Sequence, residues 1–155
     1  NATYWSNDAH WQWATQPNPR EKASFLKDNI LPMKESGHLK MVDTANPKFT
    51  ENMDLFFVSG HTEQMMVPMI RYKGHTICFM ADLLPSLGHI PLPYVMSYDT
   101  RPLLTMEEKA SFLLQAAREN FILFFEHDPV TECCTVKQTE KGVRVDKMFA
   151  LSEIL

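Results

Sequence analysis

The chain has 155 residues, of which 45% are hydrophobic and 22% are charged, and its formal net charge is −4. These proportions are typical of one globular domain that buries a core. The negative charge and the lack of a basic block argue against nucleic-acid binding. No apolar run approaches the roughly 18 residues of a transmembrane helix, so no membrane association is expected.

The segment 1–16 is rich in aromatic side chains, which more often fill a core than bind a ligand. His10 stands among these bulky residues, and a structural role is favoured for it over metal binding. No secretory signal is visible. The chain opens with Asn1 rather than Met, and we therefore expect it to be part of a longer protein.

A helix start is indicated by Asn18, which is followed by Pro19 at the first helical position and by Glu21 three residues after the cap. The spacing of apolar residues continues this helix toward Gly37, a typical terminal residue. Pro32 is expected to kink the helix or to end it early.

Strands follow closely from Asp54 onward. Apolar and alternating patterns predict strands over 55–59, 65–72 and 75–81. Lys73-Gly74 between the last two is typical of a tight hairpin turn.

The second half of the chain returns to a helix. Thr105 with Glu108 forms a capping-box pattern, which predicts a helix from there to about Glu119. A buried strand over 121–125 and a terminal hairpin complete the chain. Helices thus alternate with strands and hairpins, which predicts an α/β fold with a mixed sheet and flanking helices, in a single unit over 1–155.

Three cysteines, Cys78, Cys133 and Cys134, do not make a disulfide framework, because their number is odd and two are adjacent. Cys78 lies in an apolar run and is predicted to be a core residue. The adjacent pair offers two thiol ligands, but a structural zinc site needs about four, so an ordinary structural role is favoured. Reduced thiols favour a cytoplasmic location.

Three buried strands end at residues that can bind a metal: His61, Asp82 and His127. A side chain that follows a strand is aimed from a rigid base, so the three are expected to meet at one edge of the sheet. Imidazole and carboxylate are ligands of a zinc-type ion that keeps a position open for water. Such an ion lowers the pKa of the water toward ~7 and makes it a nucleophile. Each histidine taken singly is more often an ordinary surface or core residue.

The same three segments carry a family resemblance. Ser59-Gly60-His61-Thr62, Phe79-Met80-Ala81-Asp82 and Phe125-Glu126-His127-Asp128 are similar to the last three metal-binding motifs of metallo-β-lactamase-fold hydrolases. The spacing also agrees, at 21 residues (82 − 61) and 45 residues (127 − 82). The resemblance implies that His61 binds one metal, that Asp82 bridges two, and that His127 binds the second. Zinc is the expected metal, as one or two ions, with iron or manganese as possible substitutes.

The chain departs from this family in two respects. Glu63-Gln64 stands where the family usually has a glycine, which changes the loop more than the ligand set. More importantly, the sequence contains no His-x-His-x-Asp-His motif, which in the family precedes this region and supplies most of the remaining ligands. The resemblance therefore implies the C-terminal half of an αββα sandwich, with half of the metal site missing.

A lone half of such a sandwich would expose an apolar sheet face, which is costly in water. We therefore expect this face to be covered by the missing N-terminal half or by self-association with a second copy of the chain.

The segment 83–102 contains four prolines and is predicted to be an irregular loop long enough to serve a function. His89, Tyr94 and Tyr98 on this loop are candidates for the lining of a substrate pocket. A loop histidine without chemistry and packed loop aromatics are the alternatives.

Together these patterns predict a metal-dependent hydrolase that opens a small-molecule ester or lactone-type bond with metal-activated water. As the fragment present here, the chain is expected to be inactive. Two alternatives stay open: a catalytically silent assembly module, and an iron-containing redox member of the same fold, since iron accepts the same ligands.

Overall fold

The computed structural model describes residues 2–155 and is built around one seven-stranded mixed sheet. Asn1, on which the expectation of a longer protein rests, lies outside the described residues. The helices and strands follow in this order: β1 Tyr4–Ser6, α1 Asp8–Thr15, α2 Lys27–Glu35, β2 Leu39–Met41, β3 Lys48–Thr50, β4 Met53–Val58, β5 Met65–Tyr72, β6 His75–Phe79, α3 Pro102–Glu119, β7 Ile122–Phe124, β8 Cys133–Thr139 and β9 Gly142–Phe149.

The sheet has the strand order β3-β4-β5-β6-β7-β8-β9, and β1 pairs with β2 in a separate parallel ribbon. Within the sheet β6 and β7 are parallel, and all other neighbours are antiparallel. Two successive antiparallel pairings give β4 and β6 the same direction, which β7 shares. The carboxyl ends of β4, β6 and β7 therefore lie at the same edge of the sheet. The predicted mixed α/β architecture is confirmed.

The main core lies between one face of this sheet and α3. Phe112 of α3 contacts Phe56 of β4, with 5.6 Å between ring centroids, and Leu113 is fully buried beside it. Val67 and Leu123 on the central strands have no exposed surface. Burying an apolar side chain of this size stabilises the fold by about 1.5–3 kcal/mol.

The opposite face of the sheet is apolar and only partly covered. Because side chains alternate along a strand, the neighbours of Phe56 point to this second face. Phe57 and its cross-strand partner Met66 are half-buried there. Farther along, Ile77 and Ile122 are buried in a small cluster that the C-terminal residues cover. The structure thus has the apolar second face that the sequence predicts, with one end shielded.

Hairpin and strand predictions agree closely with the structure. β5 occupies Met65–Tyr72, and Lys73 and Gly74 both have positive φ, of 46° and 81°. Two successive positive φ angles are the signature of a tight turn whose twist suits a hairpin. Within residues 2–155 no helix combines the length and hydrophobicity needed to cross a bilayer.

The capping-box prediction is wrong, although the end of that helix at Glu119 is correct. α3 begins at Pro102, three residues before the predicted cap, and Pro at the first helical position is pre-organised for a helix. Thr105 therefore lies inside the helix, where its hydroxyl donates to the carbonyl of Arg101. Glu108 reaches across to the turn after β4 instead of capping its own helix.

The predicted helix start at Asn18 is also wrong. The Asn18 side chain does accept hydrogen bonds from the backbone N–H groups of Arg20 and Glu21, but only turns follow. The helix begins later, and it contains Pro32 in its interior instead of ending there. Local capping chemistry was correctly recognised, but this segment forms no continuous helix.

The three thiols are buried and unlinked. Burial raises the pKa of Cys78 and Cys134 to about 12 and that of Cys133 to about 11. Thiols with raised pKa values are poor nucleophiles and poor metal ligands, which supports the structural role favoured for them.

Candidate metal centre

The structure brings His61, Asp82 and His127 together at the edge where β4, β6 and β7 end. Asp82 lies between the two rings. One of its carboxylate oxygens is 3.5 Å from Nε2 of His61, and the other is 3.5 Å from Nε2 of His127. Two imidazole nitrogens and both oxygens of one carboxylate therefore converge from three separate strand ends.

The donor set suits a zinc-type ion. Imidazole and carboxylate are its ordinary nitrogen and oxygen ligands, and the three side chains remain open to solvent, with exposed fractions of 19% for His61, 29% for Asp82 and 58% for His127. Glu126 adds a further carboxylate, since ligand atoms of Asp82, Glu126 and His127 lie within 4.8 Å of one another.

His61 is aimed by a turn that α3 holds in place. The carboxylate of Glu108 accepts hydrogen bonds from the backbone N–H groups of Ser59 at 2.6 Å and Gly60 at 3.0 Å. Burial raises the pKa of Glu108 even though these two hydrogen bonds oppose the shift. A side chain at Gly60 would meet the backbone of Thr105, with its Cβ only 2.4 Å from the amide nitrogen. Glycine is required here because the helix passes too close for any larger residue.

The other two side chains are positioned by contacts across the sheet edge. The N–H of Met80, just before Asp82, donates to the carbonyl of Phe124 at 2.9 Å. The N–H of His127 donates to the carbonyl of Pro85 at 3.0 Å. Asp128 accepts hydrogen bonds from three backbone N–H groups, those of Leu87, Val130 and Thr131. Its carboxylate thus connects loops instead of facing the cluster.

The ring of His61 has a second carboxylate partner. Its Nδ1 lies 2.9 Å from Oδ1 of Asp99, whose side chain is only 1% exposed. Burial alone would lower the pKa of His61, but the hydrogen bond with Asp99 and the negative charge of Asp82 outweigh it, so the pKa is raised. Asp99 belongs to the Pro-rich segment 83–102 and was not among the candidate site residues predicted from the sequence. No local pattern reveals it, because 38 positions separate it from His61.

The N-terminal segment closes one side of the centre. A cavity of about 480 Å³ beside His61 and Asp82 is lined from that segment by His10, Glu21 and Phe25. His10 lies at this site, but its Nδ1 is 2.6 Å from the carbonyl of Glu63, so that nitrogen is occupied.

The predicted pocket residues of the loop have different positions. Tyr98 lines the cavity, whereas His89 and Tyr94 are not among its lining residues. Nδ1 of His89 is 2.8 Å from the hydroxyl of Ser86, and burial together with the charge of Lys109 lowers its pKa. The Tyr94 side chain is 62% exposed.

A second cavity, of about 700 Å³, lies beside His75 and Asp146. His75 begins β6, so this cavity is at the opposite end of that strand from Asp82. Although this cavity is larger, we do not take it as the functional site, because it lacks the converging metal-ligand atoms found at the other end of the strand.

The sequence matches no protein-family model and no curated protein. Solved structures do match. A probable metal-dependent hydrolase from Staphylococcus aureus superposes with a TM-score of 0.82 at 21% identity, over 96% of this chain and 52% of that one. The hydrolase AbOPH of the beta-lactamase superfamily gives 0.78 at 16% identity, over 97% and 56%. AidC, a dizinc quorum-quenching lactonase, gives 0.74 at 21% identity, over 97% and 56%.

The chain has a partial metallo-β-lactamase fold. The aligned region includes nearly all of this chain but only about half the length of each of these solved structures. The resemblance suggested by the Gly-His-Thr turn is thereby confirmed at the level of the fold. The assignment of residues 1–155 to the C-terminal half of such a domain stays a prediction.

Proposed function

We propose that this chain is part of a metal-dependent hydrolase in which His61, Asp82 and His127 bind the metal. The observation that carries the proposal is the position of Asp82, whose two oxygens each face Nε2 of a different histidine at 3.5 Å. A surface aspartate with one histidine partner would be ordinary. A carboxylate placed between two imidazoles, at the edge where three strands end, is suited to bridge two ions. A single ion would fit between Asp82, Glu126 and His127, whose ligand atoms lie within 4.8 Å of one another.

A zinc-type ion held by these residues would supply a water of lowered pKa and a positive charge to polarise a substrate carbonyl. The residues of the chain would position the metal ligands and form the wall of the substrate cavity. Glu108 and Gly60 fix the turn that carries His61, and the cavity beside it offers apolar surface from Phe25 and Met65. A polar centre next to an apolar wall fits a small molecule with a hydrolysable carbonyl and an apolar substituent.

The substrate class that we propose is a small ester or lactone. Support comes from the cavity volume of about 480 Å³, which is of small-molecule size. The similarity in fold to AidC, a lactonase, points the same way. The sequence lacks the His-x-His-x-Asp-His motif, so the remaining ligands would come from residues outside this chain. The chain alone is therefore expected to bind metal without turning over substrate.

The competing proposal is a catalytically silent assembly module. The observation that favours it is the partly covered second face of the sheet, where Phe57 and Met66 are half-buried. Under this proposal the three ligand-type residues would bind metal weakly, and the second face would be the functional surface.

Metal analysis separates the two proposals. The purified chain would be loaded with zinc, dialysed, and measured by elemental analysis and by competition with a chelating dye. We expect one zinc per chain, and at least tenfold weaker binding after Asp82→Ala. The control is Asp146→Ala, because Asp146 is a carboxylate on β9 that pairs with Lys137. Substoichiometric zinc that is insensitive to Asp82→Ala would reject the hydrolase proposal.

The metal itself is tested in the same experiment. Imidazole and carboxylate ligands also suit iron and manganese, so the chain would be titrated with each ion. We expect zinc to bind most tightly of the three. Preferential binding of iron, with a redox-active centre, would instead support the redox alternative.

A further inference from the structure

We propose that Asp99 is a positioning residue that holds the neutral His61 ring with its proton on Nδ1, leaving the Nε2 lone pair free to bind metal. This inference rests on the proposed function, in which His61 is a metal ligand. It assigns a role to a loop residue that lies outside the cluster of His61, Asp82 and His127.

The hydrogen bond has only one possible direction. A carboxylate can only accept, so the contact of 2.9 Å between Oδ1 of Asp99 and Nδ1 of His61 requires a proton on that nitrogen. The other oxygen of Asp99 accepts from the backbone N–H of Met96 at 3.1 Å. Both oxygens of a side chain that is 1% exposed are thus used, and the carboxylate has no freedom to turn away.

Asp99 is itself held rigidly against the turn that carries His61. The N–H of the next residue, Thr100, donates to the carbonyl of His61 at 3.1 Å, and its hydroxyl donates to the same carbonyl at 3.0 Å. The N–H of Arg101 donates to the carbonyl of Gly60 at 2.8 Å. The loop therefore fixes both the backbone and the ring of His61.

The tautomer matters because a neutral imidazole has a lone pair on only one nitrogen. The nitrogen that binds metal is set by the hydrogen bond that the other nitrogen makes. Nε2 of His61 is the nitrogen that faces Asp82, at 3.5 Å. With the proton held on Nδ1, Nε2 faces the cluster as an electron-pair donor.

Asp99→Asn is the informative substitution, because it keeps the size of the side chain and removes one acceptor. The amide has a single oxygen for two donors, the N–H of Met96 and that of His61. If the amide oxygen keeps the hydrogen bond from the N–H of Met96, the NH₂ group faces Nδ1 of His61 and donates to it. The imidazole proton then moves to Nε2, where it blocks a metal.

The first test is the tautomer of His61 in the metal-free chain. Nitrogen-15 NMR at about pH 9, where histidine is neutral, distinguishes the two ring nitrogens. The signal would be assigned by its loss in His61→Gln. We expect the Nδ1–H form in the wild type and a shift to the Nε2–H form in Asp99→Asn. A wild-type ring protonated on Nε2 would overturn the inference whether or not Asp99→Asn folds.

The second test is the affinity for zinc. We expect Asp99→Asn to weaken zinc binding about 10- to 100-fold, as is typical when the partner of a ligand histidine is lost. Asp146→Asn, which removes a carboxylate from the Lys137 pair, should leave the affinity unchanged.

The outcomes separate this inference from the proposed function. A wild-type chain that does not bind zinc contradicts the proposed function, whereas its tautomer still tests the role of Asp99. A wild-type chain that binds zinc, with Asp99→Asn binding it as tightly and keeping the Nδ1–H form, contradicts the role of Asp99 alone.

Discussion

Gly60 shows how strongly a single residue determines the position of His61. Its missing side chain lets the turn after β4 lie directly against α3, where a Cβ would be 2.4 Å from both the amide nitrogen and the hydroxyl of Thr105. Helix backbone cannot retreat from such a contact as a flexible side chain would. Any larger residue therefore separates the turn from the helix and moves His61 with it.

We expect Gly60→Ala to lower the free energy of unfolding by at least about 2 kcal/mol, because the added methyl group overpacks backbone. Zinc binding should weaken as well, since His61 shifts. Gly88→Ala is the matched control, because a Cβ there meets only the hydroxyl of Ser86, at 3.6 Å. Urea denaturation of both variants tests this, and equal stabilities would contradict the close contact.

Glu108 supports the same turn with its charge. Glu108→Gln leaves one oxygen for two backbone N–H groups and turns an NH₂ group toward one of them. We expect a loss of about 1–3 kcal/mol in the free energy of unfolding, the usual cost of a buried donor left without its partner. The exposed neighbour Glu107, changed to Gln, is the control in the same denaturation series. If the two variants were equally stable, the hydrogen bonds of Glu108 would carry no net energy.

At the scale of elements, the Pro-rich loop between β6 and α3 is attached to the helix through Lys109. This side chain is fully buried, and its ammonium group donates to the carbonyls of Pro91, Leu92 and Tyr94, at 2.7 to 3.2 Å. The charge is thus partnered by backbone oxygens of the same loop that supplies Asp99. Lys109 therefore attaches α3 to the loop whose residue Asp99 contacts the ring of His61.

We expect Lys109→Met to lower the free energy of unfolding by about 1–3 kcal/mol, because the three loop carbonyls lose the donor that the buried ammonium group gives them. The loop should also become accessible to protease cleavage between Pro91 and Asp99. Lys141, which is exposed at the β8–β9 turn, gives the control Lys141→Met. Limited proteolysis that leaves the loop of Lys109→Met intact would show that other contacts hold it.

The stability should also depend on pH through this lysine. Burial lowers the pKa of Lys109 to about 8, whereas an unfolded chain has a lysine pKa of about 10.4. Between these values the unfolded chain binds more protons than the folded one, so the free energy of unfolding rises with pH. The stability difference between wild type and Lys109→Met should therefore grow from about pH 7.5 to about pH 10. Parallel pH profiles would contradict this.

At the scale of the whole molecule, the second face of the sheet decides how the chain behaves in solution. Its apolar side chains at Phe57 and Met66 are half-buried, whereas the main core lies on the first face, against α3. A partly exposed apolar face favours association with another apolar surface, such as that of a second copy.

We expect the isolated chain to self-associate at tens of micromolar, as measured by size-exclusion chromatography with light scattering. Met66→Lys places a charge on the second face and should shift the population toward monomer. Met148→Lys is the control, because Met148 is already 60% exposed. A wild-type chain that is monomeric throughout would contradict the prediction that this face needs a cover.

Prediction from the sequence succeeded where the relevant pattern was local. The strand over 65–72 and its turn were recognised because alternation and Lys73-Gly74 are short-range signals. The helix start at Asn18 failed because the cap hydrogen bonds form without a following helix. The start of α3 failed because Glu108 is used by a distant turn and not by its own helix.

The sequence alone identified His61, Asp82 and His127 as candidate metal ligands, since each follows an apolar run. Only the tertiary structure decided which residues fix the orientation of these side chains. Asp99 and Glu108 lie 38 and 49 positions from their partners on the His61 turn. Such contacts arise when the loop and α3 fold back over the sheet edge. The ligand types are thus local in sequence, whereas their orientation depends on buried hydrogen bonds that only the folded chain brings together.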